Sequence, residues 1–133
     1  MSTISYRVNP PLSDAVLNAL FARSWPNFQP RRFGLVLERS LAFVGAYSDE
    51  LLVGFVNTAT DGGAHAFLLD PTVDPDYRGR GIGAAMVRMA VDLACAAGCE
   101  WLHVDYEPKL APFYSRVGFR QTAAGLINLA RPG

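Results

Sequence analysis

The spacing of apolar residues changes along the chain, and each change predicts a different element of the fold. After Ser13, apolar side chains recur with helical spacing at Val16, Leu17, Leu20 and Phe21. This pattern predicts a first helix over about residues 13–23, with Ser13 as its N-cap. The stretch that follows, "WPNFQPRRFGLVLERS", is aromatic, basic and interrupted by two prolines, so we expect a loop and then a short helix.

Three apolar segments with strand character come next. "LAFVGAYS" and "LLVGFVNTAT" are joined by the turn Ser48-Asp49-Glu50. The sequence "DGG" then turns the chain into "AHAFLLD". Short apolar segments separated by such turn residues predict three sequential, antiparallel strands.

The second half of the chain alternates helices with short strands. An apolar helical pattern follows a glycine-rich stretch and ends at Gly98, with Ile82, Met86, Met89 and Leu93 on one face. "WLHVDY" predicts a strand, "KLAPFYSRVGF" a short helix that ends at Gly118, and "AGLINLA" a closing strand. This order of elements predicts an α/β (α+β) sheet with helices on its faces. The length of 133 residues predicts a single domain over 1–133.

Charge and composition exclude several classes of function. Twelve Lys and Arg residues balance twelve Asp and Glu residues, so no overall field favours nucleic acid or an anionic membrane. No apolar run is long enough to span a bilayer, and "MSTISYRVNPPLSD" lacks the pattern of a signal peptide, so we expect a cytoplasmic protein. Cys95 and Cys99 have no Cys/His cluster of metal-ligand spacing around them, which predicts no metal site.

The stretch "TVDPDYRGRGIGAAM" opens a helix with residues that disfavour helices. Glycine costs roughly 1 kcal/mol relative to alanine, and cations oppose the helix dipole at an N-terminus. However, free N–H groups at a helix N-terminus bind anions, and glycines let a phosphate approach the backbone. We therefore predict a phosphate cradle at Gly79, Gly81 and Gly83, flanked by Arg78 and Arg80. Helix propensity alone predicts that Gly81→Ala and Gly83→Ala stabilise the free protein, if the backbone dihedrals permit.

Two other phosphate-binding motifs fit this stretch less well. Residues 79–84 satisfy the dinucleotide pattern G-x-G-x-x-A, but "DPDYR" separates the strand end at Val73 from the first glycine. Too little chain follows for the rest of a doubly wound sheet. A Walker A loop is excluded because no Gly-Lys-Ser/Thr follows. A nucleotide-binding domain is therefore the weaker alternative.

The same stretch resembles motif A of the GNAT superfamily of N-acetyltransferases, R/Q-x-x-G-x-G/A. Arg78, Gly81 and Gly83 occupy its defining positions. "FYSRVGF" is similar to the second signature of that family, an aromatic-Tyr pair followed by Gly-Phe. The resemblance covers roughly residues 41–129. It implies a GNAT-like mixed, mostly antiparallel central sheet flanked by helices, acetyl-CoA as acetyl donor and an amine as acceptor.

The resemblance also implies roles for individual residues. Backbone N–H groups from Arg80 to Ala84 would hold the coenzyme A pyrophosphate, and the strand end at Val73 would bind the pantetheine arm. Tyr114 matches the general acid of the family, and a phenol with a pKa of about 10 is suited to protonate an alkyl thiolate. The predicted cofactor-binding residues are Val73, Arg78, Gly79, Arg80, Gly81, Ile82, Gly83 and Ala84.

The sequence leaves the general base open. Phe67 and Leu69 stand at the strand positions where some family members carry Glu or His. The polar alternatives nearby are His65, Asp70, Asp105 and Glu107, of which Asp70 and Glu107 are the predicted catalytic carboxylates. Glu107 stands where many relatives have an Asn that contacts the coenzyme, and water could carry the proton instead.

In the family, the first two helices and their loop shape the acceptor site. Trp25, Phe28, Arg31 and Arg32 would there form an apolar pocket with a basic rim. We predict an acetyl-CoA-dependent N-acetyltransferase for a primary amine of a small molecule or peptide.

Two further expectations stand beside this prediction. The apolar Phe67 and Leu69 favour an alternative, a CoA-binding sensor or interaction module without catalysis, whereas the presence of Tyr114 opposes it. The short, apolar and uncharged "AGLINLA" predicts a homodimer through an exposed terminal strand or through its face of the sheet.

Overall fold

A five-stranded mixed sheet forms the centre of the computed structural model, which describes residues 3–130. The strands lie in chain order, the first four antiparallel and the last pair parallel. The elements are β1 (Ile4–Val8), α1 (Asp14–Ser24), α2 (Gly34–Arg39), β2 (Ser40–Ser48), β3 (Leu51–Thr60), β4 (His65–Val73), α3 (Ile82–Ala96), β5 (Trp101–His103) and α4 (Ala111–Arg116), with 3-10 turns at Pro75–Tyr77 and Pro108–Leu110. The predicted fold class is confirmed.

The helices cover two different faces of the sheet. On one face α3 buries Ile82, Met86, Val87 and Ala90 against the strands, in a cluster that also contains Tyr114 of α4. On the other face α1 buries Leu17, Leu20 and Phe21, in a cluster with Phe33, Tyr47, Leu52 and Phe55. Each fully buried apolar side chain contributes about 1.5–3 kcal/mol. The two clusters therefore hold α1 and α3 on opposite sides of one sheet.

Local signals in the sequence placed the first helix and the hairpin correctly. Ser13 caps α1, where its Oγ accepts a hydrogen bond from the Val16 N–H at 3.2 Å. β2 and β3 form the predicted hairpin, and Asp49 in its turn has a φ of 54°. Asp tolerates this left-handed conformation better than most residues.

The sequence analysis missed one strand and extended another too far. The sequence analysis missed β1, although Ile4, Tyr6 and Val8 alternate with polar residues before a proline pair. The strand predicted for "WLHVDY" ends at His103, so Asp105 and Glu107 lie beyond it. β5 ends where its pairing with β4 ends, at His103 opposite Phe67.

The closing strand predicted for "AGLINLA" is wrong. Residues 121–130 form no strand, and the exposed fractions of Leu126, Ile127 and Leu129 are 81%, 79% and 85%. The sheet order ends at β5, so this segment pairs with no strand of the sheet. A homodimer therefore cannot form by strand pairing through this segment.

β4 contains a bulge and an unpaired edge. It pairs with β5 only from His65 to Phe67, and beyond that point it has no partner on the β5 side. The register with β3 shifts between Leu69 and Thr72, so that β4 carries an extra residue, and Asp70 there has a φ of 54°. A bulge of this kind reverses which residues of a strand face each side of the sheet.

The described part of the chain contains no helix that is both long and apolar enough to cross a membrane.

Candidate active site

An open cleft of about 610 Å³ lies where β4 continues without β5. Its walls come from the end of β4, the glycine-rich loop, the start of α3, α4 and the end of α1. Of the predicted site residues, it is lined by Val73, Arg78, Gly79, Gly81, Ile82, Gly83, Ala84 and Tyr114. Arg80, Asp70 and Glu107 are not part of this lining. The fold therefore brings the two sequence signatures together in one cleft.

The glycine-rich loop presents the first turn of α3 without a side-chain cap. Gly79 and Gly81 have φ values of 78° and 80°, which glycine adopts without the steric penalty of a Cβ. Gly81 is the N-cap of α3, and its carbonyl accepts from the Ala85 N–H at 3.0 Å. The N–H groups of the first turn, at Ile82 and Gly83, therefore have no capping side chain. This is the local structure that binds anions.

Gly83 lies in the wall of the cleft, beside Val73 and Phe113. A Cβ built on Gly83 would be 3.6 Å from Val73 Cγ2 and 3.6 Å from Phe113 Cζ, which is ordinary van der Waals contact. Alanine therefore fits at this position. The two γ-methyl groups of valine would extend from the same point into the cleft.

The two arginines of the motif are held by carbonyl groups of the protein. Arg78 Nε donates to Val73 O, and its Nη2 donates to Ser24 O, both at 3.1 Å. Arg80 Nη2 donates to Asp76 O at 3.3 Å, and its guanidinium lies 5.0 Å from the centre of the Tyr77 ring. Each guanidinium keeps further N–H groups that these contacts do not use.

Sequence reasoning missed two arginines that line the cleft, Arg88 and Arg116. Both are exposed, and neither forms an ion pair with any residue in 3–130. A signal for each was present, since Arg88 is the sole charge in an apolar stretch of α3 and Arg116 lies inside "FYSRVGF". Together with Arg78 they make the cleft basic in a chain of zero net charge.

Tyr114 lies in a cluster of aromatic rings beside the cleft. Its ring stacks on Tyr106 at 4.6 Å and contacts the edges of Phe113 and Phe119 at 5.0 and 5.7 Å. The residue is 4% exposed, and no described residue hydrogen-bonds to its hydroxyl group. Burial raises the pKa of Tyr114 above 10.0, and the nearby negative charge of Asp105 raises it further. The phenol is therefore protonated at neutral pH, as a proton donor must be.

The raised pKa of Tyr114 predicts a loss of stability at alkaline pH. As pH rises past 10.0, the unfolded chain loses its tyrosine proton before the folded chain does, so the free energy of unfolding falls. The stability contribution is complete below pH 10.0 and is lost above it. Urea unfolding at several pH values on both sides of this point should show a shallower decline for Tyr114→Phe than for wild type. Part of the decline should remain in Tyr114→Phe, because burial also raises the pKa of Tyr6 and Tyr47. An equal decline of stability with pH in the two proteins would contradict a raised pKa at Tyr114.

Comparison with known proteins is consistent with this geometry. The family model described as "Acetyltransferase (GNAT) family" matches residues 14–119. The chain belongs to the GNAT acetyltransferase family. A GNAT-family acetyltransferase of Streptococcus pneumoniae TIGR4 has a similar fold, with a TM-score of 0.80, 21% identity, and coverage of 96% of this chain and 99% of that one. Aminoglycoside N-acetyltransferase AAC(6')-Iy, solved in complex with CoA, has a TM-score of 0.74 and 18% identity, over 96% of this chain and 95% of that one.

Curated relatives of this GNAT chain match over shorter regions. Serotonin N-acetyltransferase 2, chloroplastic, of Oryza sativa subsp. japonica is 33% identical over 125 residues, which are 90% of this chain and 62% of that protein. Glucosamine 6-phosphate N-acetyltransferase of Trypanosoma brucei brucei is 37% identical over 59 residues, 44% of this chain and 40% of that protein. The GNAT chain thus spans less than two thirds of these relatives.

The predicted carboxylates of this GNAT chain lie outside the cleft. Asp70 is half-buried in the bulge of β4, with its Oδ2 3.4 Å from Arg31 Nη2. Glu107 is exposed and forms an ion pair with Lys109 at 3.4 Å. Another predicted alternative, His65, has its Nδ1 2.8 Å from His103 Nε2. Within residues 3–130, no group of three or more His, Cys, Asp or Glu side chains could hold a metal ion.

Of the residues predicted for the acceptor region, Phe28 and Arg31 lie together in the folded GNAT chain, with the Arg31 guanidinium 5.7 Å from the centre of the Phe28 ring. Trp25 lines the cleft and is 46% exposed. Phe28 packs on Phe21 at 5.5 Å, and Arg31 lies 5.0 Å from the Phe33 ring while it pairs with Asp70. The predicted apolar pocket with a basic rim therefore stays a prediction. Trp25 is the member of the set that can contact a molecule in the cleft.

Proposed function

We propose that this chain is an acetyl-CoA-dependent N-acetyltransferase that moves an acetyl group directly to a primary amine of a small molecule or peptide. One observation carries the proposal: a helix N-terminus opened by glycines and a buried, neutral tyrosine line the same cleft. Membership of the GNAT family supports it. A cytoplasmic location stays a prediction.

The cleft residues fit the chemistry of coenzyme A. Free N–H groups at Ile82, Gly83 and Ala84 suit a pyrophosphate. Arg88 and Arg116 add positive charge for the phosphate groups of the same molecule. Neither has to break an ion pair with a described residue in order to bind a phosphate. Arg78 can also donate to a phosphate, through the guanidinium N–H groups that are not bonded to Val73 O or Ser24 O.

Val73 is suited to stabilise negative charge on the thioester oxygen. The Asp74 N–H donates to Val53 O at 2.8 Å, which makes Gly54 and Val73 a non-hydrogen-bonded pair of the antiparallel ladder. In such a pair the N–H and C=O of Val73 point away from β3, toward the side where β5 is missing. The Val73 N–H can therefore donate to an oxyanion that forms in the cleft.

In the proposed transfer, each bond that forms or breaks and each proton that moves has a defined donor and acceptor. The neutral amine attacks the thioester carbonyl carbon, the carbon–sulfur bond breaks, and Tyr114 gives its phenolic proton to the departing sulfur. The amine loses one proton to a base or to water. Of the two predicted carboxylates, Asp70 belongs to the strand that forms the cleft wall, but its carboxylate pairs with Arg31 outside the cleft, so it would act through water.

Calorimetric titration with CoA and with unphosphorylated pantetheine tests the proposed cradle. We expect CoA to bind with micromolar affinity or better, and pantetheine to bind at least about tenfold more weakly, because a charge-assisted hydrogen bond is worth about 1.5–3 kcal/mol. Equal affinities would contradict phosphate binding by the loop. Thermal protection by NAD or ATP, but not by CoA, would instead support a nucleotide-binding domain.

Release of free CoA from acetyl-CoA in the presence of primary amines tests catalysis. The panel should include an arylalkylamine and an amino sugar phosphate, since relatives are named serotonin and glucosamine 6-phosphate N-acetyltransferases. We expect turnover with at least one class. Tight CoA binding without turnover of any amine would favour the CoA-binding sensor.

A homodimer also remains part of the proposal. The apolar side chains of Leu126, Ile127 and Leu129 are more than three-quarters exposed, and burying them against a second copy would remove this surface from water. Sedimentation that gives a monomer at high micromolar concentration would contradict the proposed homodimer.

A further inference from the structure

At and after the bulge of β4, three alternate side chains reach across to α1 and the loop that follows it. Asp74 pairs with Arg23 at 2.9 Å, Thr72 with Trp25 at 3.0 Å, and Asp70 with Arg31 at 3.4 Å. The bulge is what turns all three toward α1, because it reverses the alternation that put Phe67 and Leu69 on this face. Val73, between them, packs on the opposite face with the α3 cluster.

Thr72 is the central contact of this ladder. Its hydroxyl accepts from Trp25 Nε1 at 3.0 Å and donates to Asp70 O at 2.9 Å, so the single hydroxyl proton and a lone pair are both used. The residue is 3% exposed, which shields both bonds from solvent. The Thr72 side chain therefore has one orientation.

The carbonyl carbon of Thr72 and the nitrogen of Val73 belong to one planar peptide group. Rotation of this peptide group depends on ψ of Thr72 and φ of Val73, so anchoring the Thr72 side chain on one side and Val73 O on the other limits that rotation. The next peptide group is held as well, since Arg78 joins Val73 O to Ser24 O with two bonds of 3.1 Å. Both peptide groups that flank Val73 are thus tied to Ser24 and Trp25 at the end of α1.

We propose that Trp25 and Thr72 are a positioning pair for acetyl transfer, which aims the Val73 N–H at the oxygen of the thioester. This inference rests on the function proposed above and assigns to these two residues a role in the transfer step rather than in CoA binding. A preorganised donor to an oxyanion accelerates a reaction by about 10²–10³-fold, and part of that factor is lost when the donor is misaligned.

Thr72→Val tests the pair because it removes the hydroxyl and keeps the branched shape. With an amine that the wild type acetylates, we expect kcat to fall about tenfold, while the CoA dissociation constant stays within about twofold. Thr72→Ser keeps the hydroxyl and should recover most of kcat. Trp25→Phe should lower kcat to a similar extent, and the double variant Trp25→Phe/Thr72→Val should be no slower than the slower single variant.

Thr60→Val is the matched control for a purely structural effect. The Thr60 hydroxyl bonds His65 O and the Gly62 N–H at the far end of β4, so this variant should lower the melting temperature without changing kcat. A wild-type kcat for Thr72→Val, an equal loss of kcat in Thr72→Ser, or an equal loss in Thr60→Val would overturn the proposal. Effects of the two single variants that multiply in the double variant would also overturn it.

Fluorescence separates failure of this inference from failure of the proposed function. In a Trp101→Phe background Trp25 is the remaining tryptophan, and Thr72→Val should increase acrylamide quenching of its emission whereas Thr72→Ser should not. If the wild type acetylates no amine, the proposed function fails and the positioning role fails with it. If amines are acetylated but quenching and kcat are unchanged in Thr72→Val, the positioning role alone fails.

Discussion

Tyr114→Phe is expected to lower kcat by about 10²-fold or more with a CoA dissociation constant close to that of the wild type. General acid catalysis contributes about 10²–10⁴-fold, and phenylalanine removes the proton without removing the ring. The contacts of this ring with Tyr106, Phe113 and Phe119 do not need the hydroxyl, so the aromatic cluster should persist. Steady-state kinetics and calorimetry on the same preparation measure both quantities.

Tyr106→Phe is the matched control for Tyr114→Phe. Tyr106 stacks on Tyr114 and is half-buried, but it does not line the cleft. Its variant loses a phenolic hydroxyl from the same ring cluster and should keep most of the wild-type kcat. A Tyr114→Phe enzyme as fast as the wild type would show that water protonates the leaving thiolate. Equal losses in both variants would point to a general disturbance of the cluster.

Gly83→Val is expected to weaken CoA binding by roughly 10- to 100-fold, the equivalent of losing one charge-assisted hydrogen bond to phosphate. The added methyl groups would occupy part of the cleft beside Val73 and Phe113. Affinity for pantetheine, which lacks phosphate, should fall less. Calorimetric titration of both ligands gives the comparison, and unchanged CoA affinity would remove the physical support for the cradle.

Alanine at Gly81 and at Gly83 should have opposite effects on stability. Gly83 lies in a helix and a Cβ fits there, so Gly83→Ala should raise the free energy of unfolding by up to about 1 kcal/mol. Gly81 has a φ of 80°, so Gly81→Ala should lower it by about 1–2 kcal/mol. The expectation from propensity that both substitutions stabilise is therefore corrected at Gly81. Urea unfolding of the free protein measures both, and stabilisation by Gly81→Ala would contradict the left-handed N-cap.

Local patterns were sufficient for much of the fold and for the core of the site. The N-cap Ser13, the β2–β3 hairpin and the start of α3 each depend on residues within a few positions of one another, and the chain's own spacing reveals them. The cradle could be read for the same reason, because its glycines break a local rule at a helix N-terminus. Tyr114 was found through a signature of neighbouring residues, "FYSRVGF".

The sequence by itself therefore determined the fold class, and it predicted the phosphate cradle at the start of α3 and the candidate acid Tyr114. Tertiary structure alone decided that "AGLINLA" has no partner strand, that Arg88 and Arg116 reach the cleft, and that Thr72 meets Trp25. Each of these depends on which distant segments become neighbours. The bulge at Asp70 shows the physical reason most directly, because an extra residue in β4 turns Thr72 toward α1 and Val73 toward α3. The position of this extra residue is set by the pairing of β4 with β3, which lies outside the local sequence.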